Sequence, residues 1–470
     1  MSQIARLALL AGAVLATGGV AQAQTNPDEV RAIVAEMMAD AETRSSLLQS
    51  GAGAGHDGNF FIGSSDGNFR LNVGGQIQFR YYLNFRDDEP GIDRNGDAVV
   101  DAADSEDDFE SGFQTRRTKL IFDGHVFDPN LFYKIQVAFD FGQDTGTNAA
   151  GESVGNGDGS ADLEDAFVGY KWDNGFQVRW GQFKLPFLRE ELVDDLKQLA
   201  ADRGLVNSVF SGERAQGVEL GYNADDFRVL FAFSDGFRSL NSDFASDRTV
   251  SGAGFPTGGE ADYAATLRGE VKFAGAWEQF QDFTSQGQSD FAALLGVAGH
   301  VEGGDRTASN FSNSQFNYYS WTVDFSLEGD GWNFFVAGVG GHSDYDGAVL
   351  LPGALAPAND VQFDDYGVAA QLGFIIPNTD WEPFVRYDGI WADDEDRNIA
   401  NSSDSDFHTL TFGVNYYMYG HASRFTADVL WFIEGVGSNA IAANRDTGIG
   451  YLTDNDDNEV TIRFQWQLMF

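Results

Sequence analysis

The sequence predicts an all-β fold, a sixteen-stranded antiparallel transmembrane β-barrel preceded by a short N-terminal periplasmic helix. Three observations predict it. From Asn68 onward, apolar and polar residues alternate with the period of two that belongs to strands. The composition is rich in aromatics and glycine, with 41 Phe, 15 Tyr, 9 Trp and 56 Gly against 9 Pro. Beyond the N-terminus no apolar run approaches the roughly 18 residues of a membrane-spanning helix.

Charge and cysteine content narrow the functions. The 470 residues hold 72 acids and 29 bases, a net charge of −43, which excludes a general nucleic-acid binder because such affinity rests on clustered bases meeting phosphates. There is no Cys, so disulfide and thiolate chemistry are excluded. The aromatic content excludes a disordered chain.

Residues 1–23 read as a secretory signal: Arg6 supplies the positive region, Leu7 to Ala16 the apolar core and Ala21-Gln22-Ala23 the cleavage site. Residues 24–58 read as a periplasmic amphipathic helix and hinge. Asn26 caps the helix, Pro27 occupies its first position, and Val30, Ile33, Val34, Met37, Met38 and Ala41 share one face. That stripe serves either a short coiled coil, as in a trimer, or a linker helix. Ser50 to Gly58 reads as a flexible Gly/Ala hinge.

Residues 59–470 read as the barrel. In the first strand Phe69, Leu71, Val73, Ile77, Phe79, Tyr81, Leu83 and Phe85 alternate with polar residues, and the last, Val460 to Phe470, repeats the pattern. Fourteen more candidates begin near Arg117, Leu131, Ala166, Gly175, Gln216, Phe227, Asp262, Phe291, Tyr319, Trp332, Tyr366, Glu382, Phe407 and Arg424. An even count with both ends in the periplasm suits a single-chain barrel, as do short turns such as Asp128-Pro129-Asn130 alternating with long polar loops. A soluble β-sandwich also alternates, but aromatics near the strand ends and a preceding signal favour the outer membrane of a Gram-negative-type envelope. At this strand number the lumen is wide enough for water, so passage is the expected function.

Turning the polar faces inward places thirteen bases on the lumen wall: Arg70, Arg80, Arg117, Lys119, Lys134, Lys171, Arg179, Arg228, Arg268, Lys272, Arg386, Arg424 and Arg463. Nine acids join them: Asp123, Asp140, Asp165, Glu219, Glu270, Asp324, Glu328, Asp388 and Asp428. The wall is thus net positive in a strongly negative chain, and some of these bases pair with inward acids. Lys184 to Arg214 is too long and too patterned for an ordinary loop. Its stretch Arg189 to Ala201 reads as helical, with Leu192, Val193, Leu196 and Leu199 facing a wall, and it is the expected inward-folded constriction.

The stretches TRRTKLIFDG (from Thr115), FYKIQVAFDF, DLEDAFVGYKW, VRWGQFKLPF, RGLVNSVF, GERAQGVELGY and the terminal VTIRFQWQLMF resemble, in order and spacing, the phosphate-selective porin O and P family. The resemblance implies a sixteen-stranded, usually trimeric porin whose third loop folds inward. It carries Arg116, Arg117 and Lys119 in the second strand and Lys184 in the GQFKLPF turn into the pore. With Lys134, Arg179, Arg189, Arg203 and Arg214 they form the expected pore-lining and constriction set. Bases interspersed with acids point to passive diffusion of small hydrophilic solutes and ions with a weak anion or phosphate preference. The expected partners are outer-membrane lipid, two further copies of the chain and small anions or hydrophilic solutes, with no nucleic acid.

No cofactor is required. Asp93, Asn95, Asp97, Asp101 and Asp104 nevertheless follow the spacing of a calcium loop, giving a structural Ca²⁺ in the first external loop as an expectation. The six histidines form no HxH or HExxH pair, and no GxSxG elbow or phosphate loop is present, so an enzyme is not expected. The alternatives are an outer-membrane structural tether or adhesin barrel working through the N-terminal helix, and a barrel hydrolase with a Ser/His pair assembled across strands.

Overall fold

The computed structural model describes residues 53–86, 109–139, 145–147, 153–155, 161–245, 249–250, 256–284, 286, 290–308, 311–349, 358–393, 406–433, 449–451 and 458–470. The signal residues, the Asn26 to Gln49 helix and the Asp93 to Asp104 acidic loop lie outside them. The strands of the main sheet are β1 (Gly53–Asp57), β2 (Asn59–Gly63), β3 (Arg70–Phe85), β4 (Phe109–Val126), β5 (Asp128–Ala138), β6 (Asp162–Lys171), β7 (Phe176–Lys184), β8 (Arg214–Asn223) and β9 (Phe227–Ser234). They continue as β10 (Tyr263–Ala274), β11 (Ala292–Ala308), β12 (Phe311–Gly329), β13 (Trp332–Val349), β14 (Ala358–Phe374), β15 (Trp381–Trp391), β16 (Phe407–Tyr417), β17 (Ser423–Phe432) and β18 (Val460–Met469).

Strands β3 to β18 pair antiparallel, each with the next. Pairing of β18 with β3, from Val460↔Phe85 to Met469↔Gln76, closes the ring at sixteen. Closure leaves no open edge in the hydrocarbon layer, where unpaired backbone groups would find no water. The ordinary burial pattern is inverted: Phe79, Phe113 and Trp466 face outward and are 46%, 73% and 58% exposed, whereas Arg80, Arg268, Arg424 and Arg463 are fully buried inside. Alternation therefore separates a lipid-facing surface from a polar interior, as the first and last strands predict.

Several boundaries differ from the sequence reading. β12 begins eight residues before Tyr319 and β14 eight before Tyr366, because these strands run past the apolar band toward the long-loop end. The Asp128-Pro129-Asn130 turn tightens onto Phe127, at φ 65°, so that β5 starts at Asp128. The hinge expected over Ser50 to Gly58 is a strand at Gly53–Asp57, which turns at Gly58 (φ 84°) into β2. β2 pairs with the lower end of β3, and Arg70 anchors the hairpin through Asp57 at 2.9 Å and the Phe61 ring at 4.2 Å. The terminal Phe470 exchanges backbone hydrogen bonds with Gly75, and any side chain at Gly75 would strike the Phe470 ring.

Residues 185–213, between β7 and β8, fold into the barrel. They carry α1 (Arg189–Leu192), a 3₁₀ turn (Asp195–Lys197) and α2 (Leu205–Phe210) in place of the single helix expected over Arg189 to Ala201. The helix breaks because Val193 and Asp194 take extended conformations, and the Asp194 carboxylate accepts from the Leu196 amide at 2.9 Å. Its apolar side chains give the barrel an internal hydrophobic core: Phe187, Leu188, Leu205, Val206 and Phe210 pack against wall residues including Tyr318, Val339 and Ile390. Phe187 lies against Phe237 with ring centroids 5.1 Å apart. Phe187→Ala is expected to weaken docking of this segment by about 3–5 kcal/mol, the cost of an unfilled aromatic site, and limited proteolysis within 185–213 reads it directly.

Candidate pore constriction

The inward segment is pinned by ion pairs to the basic wall. Asp202 accepts from three guanidiniums: Arg80 at 2.7 Å, Arg116 at 3.0 Å and Arg117 at 2.8 Å. Asp195 takes Lys119 at 2.7 Å, Arg117 at 3.4 Å and Arg203 of its own segment. Glu191 holds Lys184 and Arg203, each at 3.3 Å. Four of the segment's acids, Glu190, Glu191, Asp195 and Asp202, are buried, a state that ionised carboxylates tolerate only when paired.

Two β-bulges make this geometry possible. The β3–β4 register jumps from Gln78↔Arg117 to Phe79↔Thr115, so Arg116 is an extra residue and both it and Arg117 turn toward Asp202. The β5–β6 register jumps likewise from Gln136↔Asp165 to Val137↔Leu163. Glu164 and Asp165 then both face inward: Glu164 meets Lys119 at 2.7 Å and Arg214 at 3.4 Å, while Asp165 meets Lys134 and Arg214, each at 2.7 Å. A regular strand would send one of each neighbouring pair into lipid.

The predicted bases therefore converge. Arg116, Arg117, Lys119, Lys184, Arg203 and Arg214 form one network with the segment acids and Glu164–Asp165, and Lys134 touches it through Asp165. Arg179 stands beside it, with Glu219 at 2.7 Å and its guanidinium 4.3 Å from the Phe183 ring centroid. Arg189 lies elsewhere, donating to Ser326 Oγ and to the Phe280 carbonyl, both at 2.8 Å. Arg70, Lys171 and Lys272, read as lumen bases, sit instead at the short-turn rim. Arg70 pairs with Asp57 there, Lys171 is exposed, and Lys272 donates to the Gly275 carbonyl at 2.9 Å. Alternation assigns a face but not a height, and these residues end their strands. The proposed calcium ligands and Asp140 lie outside the described residues.

The opposite wall also holds the segment. Arg424 donates to the Gln198 carbonyl at 2.7 Å, Asn415 to the Leu199 carbonyl at 2.8 Å and Gln467 to the Leu196 carbonyl at 2.9 Å. Asp428 pairs with Arg463 at 2.7 Å and accepts from the Ala201 amide at 3.1 Å. The segment thus crosses the lumen.

Field and burial set its carboxylates apart. Burial alone would raise Asp202, but Arg117, Arg116 and Arg80 outweigh it and hold the group well below the usual carboxylate range. Asp195 is likewise held low against its burial by Arg203, Lys119 and Arg117. Glu191 falls to about 2, as Arg203 and Lys184 overcome its desolvation. Glu190 goes the other way. Burial, with Asp388 nearby, pushes it up to about 7 despite Arg386 at 3.6 Å.

Alternation alone missed Arg116 as an inward residue and Glu164 altogether. A cue exists for both: Arg116-Arg117 and Glu164-Asp165 are consecutive charges inside otherwise alternating strands, the mark of an extra residue. The segment acids were visible as loop charges, but their partners come from strands far away in sequence.

Residues 92–299, from the first long loop into β11, match the model of a family described as phosphate-selective porin O and P. Over these residues the chain is similar to phosphate-selective porins O and P. The match spans the inward segment, both bulges and the β10–β11 connection. Among solved structures, the chain is similar to the channel DcaP of Acinetobacter baumannii, at 13% identity and TM-score 0.49, covering 85% of this chain and 97% of that one. It is similar to OmpT of Vibrio cholerae at 10% identity and TM-score 0.48, covering 85% and 98%. An anion-selective porin from Comamonas acidovorans gives 11% identity and TM-score 0.47, covering 85% and 99%. No curated protein sequence matches the chain.

Proposed function

We propose that this chain is an outer-membrane porin that admits small hydrophilic solutes and ions by passive diffusion, and that its selectivity is set where the 185–213 segment meets the basic wall. The observation that carries the reading is the inversion of burial, with paired charges inside and aromatics toward lipid. The cluster of Arg80, Arg116, Arg117 and Lys119 on the wall, taken alone, argues for anion preference. The segment acids Glu191, Asp195 and Asp202 sit on those bases, so the preference is weak and depends on the balance at the constriction. The porin works as a channel and not as an enzyme, is exported through a cleaved signal and assembles as a homotrimer.

The test is the reversal potential of purified protein in a planar bilayer under a KCl gradient, repeated with phosphate. The parent is expected to favour anions modestly, and Arg117→Glu and Lys184→Glu each to abolish that preference or turn it toward cations. Cation preference in the parent would overturn the selectivity reading, and absence of current would overturn the channel.

A further inference from the structure

The β10–β11 connection, residues 275–291, is anomalous. It lies at the short-turn end, where the other connections take between one residue (Phe127) and six (375–380). Reversing an antiparallel pair needs only about two to five residues. Residues 275–284 fold back under the barrel.

Phe280 and Phe283 are buried. Phe283 packs with Val193, Leu199 and Ala200 of the inward segment and with Phe335 and Phe384 of the wall, its ring centroid 4.8 Å from that of Phe335. Backbone contacts reinforce the meeting. The Phe283 amide donates to the Lys197 carbonyl at 3.2 Å, and Arg189 donates to the Phe280 carbonyl at 2.8 Å with its guanidinium 5.4 Å from the Phe283 ring centroid. On the far side, His421 in the β16–β17 connection contacts Thr284 Oγ1 at 2.9 Å and Asp282 at 3.4 Å. The turn therefore runs as a chord from the β10–β11 wall to the β16–β17 wall, beneath a segment that enters from the other mouth. The interior above is packed tightly enough that Arg268 and Arg424 are inaccessible to solvent.

We propose that residues 275–284 form a periplasmic lid that closes the channel from below, held to the inward segment at Arg189 and Lys197 and to the opposite wall at His421, and that solute flow requires its release. The proposal rests on the porin reading. Because Phe283 shares one apolar cluster with Val193 and Leu199, releasing the lid exposes the underside of the inward segment and so loosens the constriction too.

The chain has no cysteine of its own, which makes a cross-link clean. The full-length Lys197→Cys/Phe283→Cys double variant is oxidised and its single-channel current compared with the same sample under reductant. Oxidation is expected to lower open probability at least tenfold, with recovery on reduction. Phe280→Ser/Phe283→Ser is expected to raise conductance above the parent. Equal currents in the oxidised and reduced forms would overturn the lid, as would failure of the pair to oxidise, since the segments would then not meet as described. Absence of current in both the parent and Phe280→Ser/Phe283→Ser would instead refute the porin reading, so the two failures are distinguishable.

Discussion

Asp202→Asn is expected to open the constriction and make the porin strongly anion-selective. Asp202 is a carboxylate shared by Arg80, Arg116 and Arg117, at 2.7, 3.0 and 2.8 Å. The amide keeps the shape but removes the charge. Buried ion pairs add little net stability, yet deleting one partner costs about 3–5 kcal/mol because the remaining charge is left uncompensated in a poor solvent. Here three guanidiniums lose the carboxylate they share. The cheapest relief is for residues 185–213 to undock, letting water and mobile anions reach the arginines. Reversal potential should move toward the chloride limit, single-channel conductance should rise, and the segment should become sensitive to protease. The sixteen-strand ladder does not pass through Asp202, so the barrel's own thermal transition should move little. Unchanged selectivity together with an unchanged digestion pattern would show that Asp202 does not hold the segment.

How much of this was legible in the sequence follows from which forces act locally. Alternation is local, so the sixteen strands and the faces of the first and last could be read directly: Gln76, Gln78 and Arg80 are buried and Ile77 and Phe79 exposed, as the period requires. The inward segment was legible by its length and its apolar spacing, and Val193, Leu196 and Leu199 are buried as expected. Its internal structure was not, since the break at Val193 answers to partners such as Phe283 and Phe335 that lie 90 or more residues away. The bulges were half legible. Consecutive charges in TRRTK and LEDA break the alternation, but only the register with β3 and β5 shows that both members turn inward. The β10–β11 connection went unread for a different reason: its length was visible, but nothing local says that Phe280 and Phe283 bury themselves in the lumen instead of resting at the membrane rim.

Acid–base behaviour separates the segment's two kinds of carboxylate. Glu191, at about 2, and Asp195 and Asp202, both held well below the ordinary range, are lower in the docked segment than in a free one. They contribute docking stability that is complete above the free carboxylate value of about 4 and is lost as pH falls below it. Glu190 has the opposite sign. At about 7 when docked, it binds its proton more tightly inside the barrel than free, so docking weakens as pH rises from the free value to about 7 and changes no further above that. The Gly204 amide, which donates to Glu190 at 2.7 Å, and Arg386 oppose this shift, while burial beside Asp388 drives it. The segment should therefore be held most tightly in mildly acidic solution. Single-channel conductance titrated from about pH 8 to about pH 3 is expected to pass through a minimum near the free carboxylate value, rising steeply on the acid side as three anchoring carboxylates are neutralised. Glu190→Gln should flatten the alkaline limb alone, because Gln carries no charge at any pH, and leave the acid limb in place. A titration that runs monotonically through the whole range, or a Glu190→Gln variant that moves the acid limb, would show that these four carboxylates do not govern docking in the way their surroundings dictate.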